Sequence, residues 1–172
     1  MKINNEPIAV ISLQTLYQNI CAAFCVIVVV SNIISAKMVL LPYFDFNIPA
    51  GLIIYPLTFL LSNLVTEIFG PMKAKLMVYT ALGMNLLSFS MIQIALLLPT
   101  GSTGVSGTQN AFQMVLGLSS LRVISSLTAY LIAQIADIQI YAWIKRWTSA
   151  HFLWLRNNGS TCISQMIDTV VV

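Results

Sequence analysis

Long stretches without a charged side chain are the feature that most constrains this sequence. Three of them separate Glu6 from Lys37, Asp45 from Glu67, and Lys75 from Arg122. A membrane-spanning helix needs about 20 mostly apolar residues, and each stretch is long enough to hold one. Charged residues make up only 8% of the 172 residues, against about 25% in a soluble domain. The chain is therefore predicted to be an integral membrane protein that crosses the bilayer several times.

Turn signals divide the apolar sequence into five segments. Leu41-Pro42 and Ile48-Pro49 bracket the first loop, and Gly70-Pro71 ends the second helix because proline cannot continue it. The Gly-, Ser- and Thr-rich run Pro99–Thr108 lacks the Lys-Ser/Thr pair of a phosphate-binding loop and is predicted to be a connector. The segments are Leu16–Ile34, Pro49–Phe69, Leu76–Leu98, Ala111–Ile135 and Asn158–Val172. We predict an all-α fold, a polytopic transmembrane helix bundle forming one domain over residues 1–172.

The cations are distributed unevenly between the two predicted sides. With the N-terminus inside, the cytoplasmic segments hold Lys2, Lys73, Lys75, Lys145, Arg146 and Arg156. The other side holds only Lys37, and Arg122 falls within a predicted span. Because Lys and Arg concentrate in cytoplasmic loops, we expect a cytoplasmic N-terminus. The last segment covers only about 22 Å of a core about 30 Å thick, so we expect this helix to be incomplete.

Polar residues inside the predicted helices form three stripes. Ionisable groups in a membrane are costly and usually functional. In the fourth segment one arc holds Arg122, Ser126, Ala129, Tyr130, Ala133 and Asp137, with Gln134 at its edge, opposite Leu127, Leu131, Ile135 and Ile138. In the second segment a face holds Asn63, Thr66, Glu67 and Gly70, and in the fifth a face holds Asn158, Thr161, Gln165 and Asp168. With lipid outside, the stripes are expected to face one another.

The stripes have two interpretations, a binding cavity or structural pairing. Arg122 and Asp168 could neutralise each other as a buried pair, and polar groups also join membrane helices. By the predicted helix ends, Arg122 lies near the midplane, Glu67 and Asp137 lie toward the cytoplasmic ends, and Asp168 lies above the midplane. Carboxylates beside amides suit a flat, neutral or weakly cationic heterocycle with amide-like edges, on which Tyr130 could stack.

Catalytic, metal and redox signals are weak. The single histidine, His151, lies in a predicted cytoplasmic loop, and no hydrolase or metalloprotease motif surrounds it. Cys21 and Cys25 share a helix face without a histidine nearby, which favours packing over metal binding. The net charge of +3 is small and scattered, so it does not indicate nucleic acid. We expect neither enzymatic activity nor a cofactor or metal.

The run Trp154-Leu-Arg-Asn-Asn-Gly-Ser-Thr161, with Gln165 and Asp168 downstream, resembles a signature of the queuosine precursor transporter family, also called the vitamin uptake transporter family. Pro56–Phe59 with Thr66–Gly70 is similar to its second helix. Arg122 with Ser125–Gln134 and Asp137 is similar to its fourth. The resemblance implies a bacterial inner-membrane protein of about six helices, of which this chain has five. It also implies import of 7-deazaguanine precursors of a modified tRNA base, such as the 7-cyano or 7-aminomethyl base or queuine.

The resemblance and the stripes together select the expected substrate site. Its residues are Glu67, Arg122, Tyr130, Gln134, Asp137, Arg156, Asn157, Asn158, Gln165 and Asp168. The leading hypothesis is a self-contained carrier for a small 7-deazapurine. The alternative is a substrate-binding membrane subunit of a separately energised, ATP-driven importer. A membrane enzyme is the third class, which the missing catalytic arrangement disfavours. Homo-oligomerisation and an energising subunit stay open.

Overall fold

Helices make up nearly all of the described chain. The computed structural model describes residues 6–41, 46–99, 106–117, 120–147 and 153–171. In that part the helices are α1 (Glu6–Ile34), α2 (Gly51–Phe69), α3 (Pro71–Leu97), α4 (Ser106–Leu116), α5 (Ser120–Trp147) and α6 (Leu153–Val171). The strands β1 (Met38–Leu41) and β2 (Phe46–Pro49) lie between α1 and α2. The predicted helical bundle is confirmed.

Four helices in the described part are long and apolar enough to cross a membrane. They are α1 over Ser12–Ile34, α2, α3, and α5 over Ser125–Trp147. The prediction of five apolar segments is therefore wrong. The fifth segment, Asn158–Val172, lies largely in α6, whose polar residues Arg156, Ser160 and Ser164 are buried. These polar residues make α6 less apolar. They lie on the face of α6 that packs on polar partners.

The predicted fourth segment, Ala111–Ile135, is not one helix. α4 ends at Leu116, where the amide of Gly117 donates to the carbonyl of Gln113 at 2.8 Å, and α5 begins at Ser120. Glycine is the residue that most readily lets a helix end. The eleven residues of α4 cover only about 16 Å, which is too short for a span. The membrane-spanning part of this region therefore lies further along the chain.

Because α5 starts later than predicted, two ionisable residues lie at other heights in the bundle than expected. Arg122 is in the first turn of α5 rather than near the midplane. Asp137 precedes Lys145, in the last turn, by eight residues or about 12 Å. It therefore lies near the middle of the candidate span Ser125–Trp147, not toward its cytoplasmic end as predicted.

A short hairpin replaces the loop predicted between the first two helices. β1 and β2 pair antiparallel, with Met38 opposite Pro49, and the amide of Ala50 donates to the carbonyl of Lys37 at 2.8 Å. Next to it, the Ser31 hydroxyl donates to the Gly51 carbonyl at 3.1 Å. A Cβ at Gly51 would overlap the Ser35 side chain and the Ser31 carbonyl, so glycine lets α1 and α2 approach closely.

The connection between α2 and α3 follows the predicted Gly-Pro signal. Gly70 has a φ of 86°, a conformation that favours glycine, and Pro71 is the first residue of α3. The chain reverses here, so the end of α2 and the start of α3 lie at the same end of the bundle. The contact of Glu67 with Lys145 places the end of α5 there as well.

The apolar core joins four of the helices. It contains Phe24 and Val28 of α1, Val65 of α2, Ala74, Met77, Val78 and Ala81 of α3, and Tyr130 and Ile138 of α5. α6 is not represented in this cluster. It packs on α2 and α5 through polar side chains instead, and this contact positions the candidate site.

Candidate functional site

Nine polar side chains lie buried where α2, α5 and α6 meet, and we call this group the polar junction. Each is at most 2% exposed. The group consists of Thr58, Ser62, Asn63 and Thr66 of α2, Gln134 and Asp137 of α5, and Arg156, Ser160 and Ser164 of α6. Small hydroxyl side chains let membrane helices approach closely, which explains why α6 can pack here without a large apolar face.

Asp137 is the carboxylate within the polar junction, and it bridges all three helices. The Ser62 hydroxyl of α2 lies 3.4 Å from its Oδ2 atom, and the Ser164 hydroxyl of α6 lies 3.3 Å from its Oδ1 atom. The ion pairs recorded in the described part of the chain involve Glu67, not Asp137. The Ser160 hydroxyl of α6 is hydrogen-bonded to Asp137 as well. This buried carboxylate therefore depends on three neutral hydroxyl groups.

The hydroxyl groups of Ser62 and Ser164 each have a closer acceptor in their own helix. Ser62 lies 2.9 Å from the Phe59 carbonyl, and Ser164 lies 2.8 Å from the Ser160 carbonyl. A hydroxyl group carries one hydrogen, so it cannot fully serve two acceptors. The bonds from Ser62 and Ser164 to Asp137 are therefore shared with the backbone and are longer than the bonds within each helix.

Two amide side chains of the polar junction each carry an oxygen without a hydrogen-bond partner among the described residues. Gln134 donates through Nε2 to the Thr58 hydroxyl at 3.0 Å, but its Oε1 has no hydrogen-bond partner among the described residues. Asn63 donates through Nδ2 to Asn157 Oδ1 at 2.8 Å, and its own Oδ1 is similarly unpartnered there. Burying an unsatisfied polar group costs about 1–3 kcal/mol. The polar junction thus holds amide oxygens without a described partner, next to the guanidinium N–H donors of the buried Arg156.

A charged cluster lies toward the end of the bundle that holds Lys145, and we call it the charged cap. Glu67 Oε2 lies 3.0 Å from Lys145 Nζ and accepts from the Tyr141 hydroxyl at 2.9 Å. Glu67 Oε1 lies 3.5 Å from Arg156 Nη2. The Arg156 guanidinium also lies over the Tyr141 ring, 5.6 Å from its centroid. The charged cap joins α2, α5 and α6 beside the polar junction.

The structure brings together five of the ten predicted site residues. Gln134, Asp137, Arg156 and Asn157 lie in or against the polar junction, and Glu67 lies in the charged cap. Tyr130 lies one turn before Gln134, buried against Tyr55, and its hydroxyl group has no hydrogen-bond partner in the described region. Tyr130 is therefore adjacent to the group.

The other predicted site residues are not placed in the polar junction. Asn158 is exposed and donates to the Trp154 carbonyl in its own helix at 3.0 Å. Gln165 is half-buried and follows Ser164. The side chains of Arg122 and Asp168 lie outside the described residues, as does His151. The helix backbones place Arg122 and Asp168 at the end of the bundle opposite the charged cap, so their pairing stays a prediction.

Part of the predicted stripe on α5 is wrong. Ala129, Tyr130, Ala133 and Asp137 are buried as expected, but Ser126 is exposed. Leu127 and Ile138 were expected on the lipid side, yet they are 6% and 0% exposed. The reason is that α5 contacts α2, α3 and α6, so protein covers more than one side of this helix.

Sequence reasoning placed Thr66 on the polar face of α2 but missed the other small hydroxyl residues of the polar junction, Thr58, Ser62, Ser160 and Ser164. Thr58, Ser62 and Thr66 recur every fourth residue in α2, as Arg156, Ser160 and Ser164 do in α6. This spacing places each set on one helix face and was the available signal. The predicted face of α6 is centred about one residue away from the observed face. Large amide and acid side chains, not serines, defined the predicted face.

No group of three His, Cys, Asp or Glu side chains in the described part could hold a metal ion. The cysteines Cys21, Cys25 and Cys162 are not joined in disulfides. The chemistry that the polar junction offers is therefore hydrogen bonding, to a partner that carries both N–H donors and an acceptor.

Comparison with known proteins agrees with the resemblance seen in the sequence. Residues 49–172 match the family model described as "Putative vitamin uptake transporter". The chain belongs to this family. It is also 31% identical over 129 residues to a Bacillus subtilis (strain 168) protein named "Probable queuosine precursor transporter", covering 74% of this chain. The chain spans about half (56%) of that relative's length. No solved structure matches the chain.

The family and the four apolar helices together identify a multi-pass membrane protein. The matched range begins at Pro49 and includes α2, α5 and α6, so the polar junction and the charged cap lie wholly within it.

Proposed function

We propose that this protein imports a queuosine precursor, a 7-deazaguanine-type base, and binds it at the polar junction. Support comes from the family and from the name of the Bacillus subtilis relative. The observation that carries the site is a set of buried acceptors, the Asp137 carboxylate, Gln134 Oε1 and Asn63 Oδ1, beside the buried guanidinium donors of Arg156.

A 7-deazaguanine base has the complementary edge. Its ring N–H and exocyclic amine are adjacent donors, which a carboxylate can accept as a pair. Its carbonyl oxygen can accept from an amide such as that of Gln134 or Asn157. Binding would supply hydrogen bonds that Ser62 and Ser164 provide only in competition with their own helices. An anion without N–H or O–H groups would leave these acceptors unmatched.

Among the described acids, Asp137 suits this role better than Glu67. Glu67 already has Lys145, Arg156 and Tyr141 around its two oxygens. Asp137 is fully buried and near the middle of the membrane, where transporters hold their substrates. Asp168, which the sequence also suggested, stays a candidate.

The polar junction is closed in this conformation, so transport requires α6 to move relative to α2 and α5. The charged cap joins these three helices at the end that we assign to the cytoplasm, so it opposes this movement. We propose that opening the charged cap exposes the polar junction to the cytoplasm. We further propose a bacterial inner-membrane location with a cytoplasmic N-terminus.

The function is tested in cells that neither make the precursor nor contain their own importer. The full-length protein is expected to restore the queuosine content of tRNA when the 7-cyano or 7-aminomethyl base is supplied. Asp137→Asn, expressed at equal level in the membrane, should abolish this restoration. Absence of restoration by the parent protein would contradict the proposal.

The same assay separates the leading hypothesis from the ATP-driven alternative. A self-contained carrier needs no other subunit, so uptake is expected in host cells without ATP-driven vitamin-import modules. Uptake that appears only when such a module is co-expressed would assign the protein to the subunit class. Recovery of chemically unchanged base inside the cells would exclude a membrane enzyme.

A further inference from the structure

A groove on the surface of the bundle lies apart from the polar junction. It runs between the first turns of α3 and the last turns of α5 and has a volume of about 480 Å³. Lys75 and Arg146 line it together with Gln139, and Pro71, Ile140 and Trp143 provide apolar walls. A volume of this size is sufficient for a small ligand.

The two cations in this groove lack an acidic partner in the described chain. Both recorded ion pairs involve Glu67, and neither Lys75 nor Arg146 takes part in them. Two positive charges facing one groove repel each other unless an anion lies between them. The groove is therefore complementary to a negatively charged group.

The surroundings of the groove match the edge of a membrane. Trp143 is 60% exposed and stacks on Trp147, with ring centroids 5.5 Å apart. Tryptophan concentrates at the boundary between lipid and water. Tyr79, one turn beyond Lys75 on the same face of α3, is also half-exposed and lies further into the apolar part of the bundle.

We propose that this groove binds the headgroup of an anionic phospholipid. Its phosphate would accept hydrogen bonds from Lys75 and Arg146, and its acyl chains would extend past Trp143 and Ile140 toward the membrane centre. Basic pockets between helices on the cytoplasmic side are the usual places for such headgroups. A free phosphate ion shares the charge but has nothing to place on the apolar walls.

The first test measures lipid binding to the purified full chain by native mass spectrometry, with equimolar phosphatidylglycerol and phosphatidylcholine. We expect the parent to retain phosphatidylglycerol. Each cation near an anionic lipid contributes roughly fivefold in affinity, so Lys75→Gln with Arg146→Gln should lower it about 25-fold. Lys37→Gln, which removes one charge at the other end of the bundle, is the control. Equal retention of phosphatidylglycerol by all three proteins would overturn the proposal.

Two further arms separate the other occupants. Millimolar inorganic phosphate should not displace phosphatidylglycerol, and displacement would indicate a plain anion site. The same spectra report oligomeric state, and a dimer that Arg146→Gln dissociates without any change in bound lipid would assign the groove to a second copy of the chain.

The final arm uses only the parent protein, so it holds even if the double variant does not fold. Phosphatidylglycerol with brominated acyl chains is expected to quench tryptophan fluorescence more strongly than brominated phosphatidylcholine. Equal quenching by the two lipids would contradict a headgroup-selective groove.

Discussion

The Ser164 hydroxyl of α6 lies 3.3 Å from Asp137 Oδ1 of α5, and both side chains are fully buried. The same hydroxyl lies closer, at 2.8 Å, to the Ser160 carbonyl. The single hydrogen of Ser164 therefore has two competing acceptors, the Ser160 carbonyl in its own helix and the Asp137 carboxyl group. Under the proposed function, a ligand with N–H donors would relieve this competition, which would link the packing of α6 to substrate binding.

The Ser164 contact can be tested through stability. Ser164→Ala removes one of the hydroxyl groups that bond the buried Asp137 carboxyl group, so we expect the free energy of unfolding in detergent to fall by about 1–3 kcal/mol. Ser90→Ala is the matched control because Ser90 is also in a helix and bonds the carbonyl four residues earlier, but at an exposed position. That variant should stay within about 0.5 kcal/mol of the parent. Equal losses for both would show that Asp137 does not depend on Ser164.

The close approach of α1 and α2 at Gly51 gives a second prediction. Gly51→Ala places a methyl group against Ser31 and Ser35, so we expect a loss of folded protein and a lower melting temperature. Gly83→Ala is the matched control, since a Cβ there meets no other atom within 4 Å. Both yields are measured by size-exclusion chromatography after extraction. A parent-like Gly51→Ala protein would show that the two helices separate more readily than the structure indicates.

The charged cap gives a third prediction. Glu67→Gln weakens the contacts with Lys145 and Arg156, so α6 should separate from α2 and α5 more often. The readout is labelling of Ser160→Cys by an impermeant thiol reagent in inverted vesicles, in a background without native cysteines. Labelling should become several-fold faster with Glu67→Gln and stay unchanged with Lys37→Gln. An unchanged rate with Glu67→Gln would exclude the charged cap as the barrier.

The cation distribution gives a topology prediction. Lys73, Lys75, Lys145, Arg146 and Arg156 lie toward one end of the bundle, and Lys37 and the backbone of Arg122 lie at the other. Because cations mark the cytoplasmic side, Met72→Cys should be protected from an impermeant maleimide in intact cells. Leu98→Cys, at the other end of α3, should be labelled. Both positions are exposed on the protein. The reverse pattern would contradict a cytoplasmic N-terminus.

The sequence predicted the helical fold well because charge-free stretches and Gly-Pro turns are local signals. Helix α1 ends at Ile34, as predicted, and the hairpin comes after it. The chain also reverses at Gly70, where the turn was expected. The break at Gly117 was not predicted. Apolar residues continue on both sides of it, and composition alone cannot distinguish one long helix from two.

The candidate site was predictable only in part, for a related reason. Large polar residues such as Asp137 and Gln134 are conspicuous in an apolar helix, so the sequence selected them. Ser62 and Ser164 look ordinary in sequence, and their role follows from the partner helix that each one faces. The contact of Asn63 with Asn157, 94 positions apart, likewise depends on tertiary packing.

The central claim is that Asp137 reads the donor edge of a 7-deazaguanine base, and ligand discrimination tests it most directly. Affinities for the base and for an analogue without the exocyclic amine are measured on the full-length protein. We expect the parent to prefer the base by roughly tenfold to a hundredfold, since a buried acceptor left unpaired costs about 1–3 kcal/mol. Asp137→Asn should lose most of this preference. Glu67→Gln should keep the ratio, because Glu67 already has three partners. Equal binding of both ligands by the parent, or an unchanged preference in Asp137→Asn, would contradict the claim.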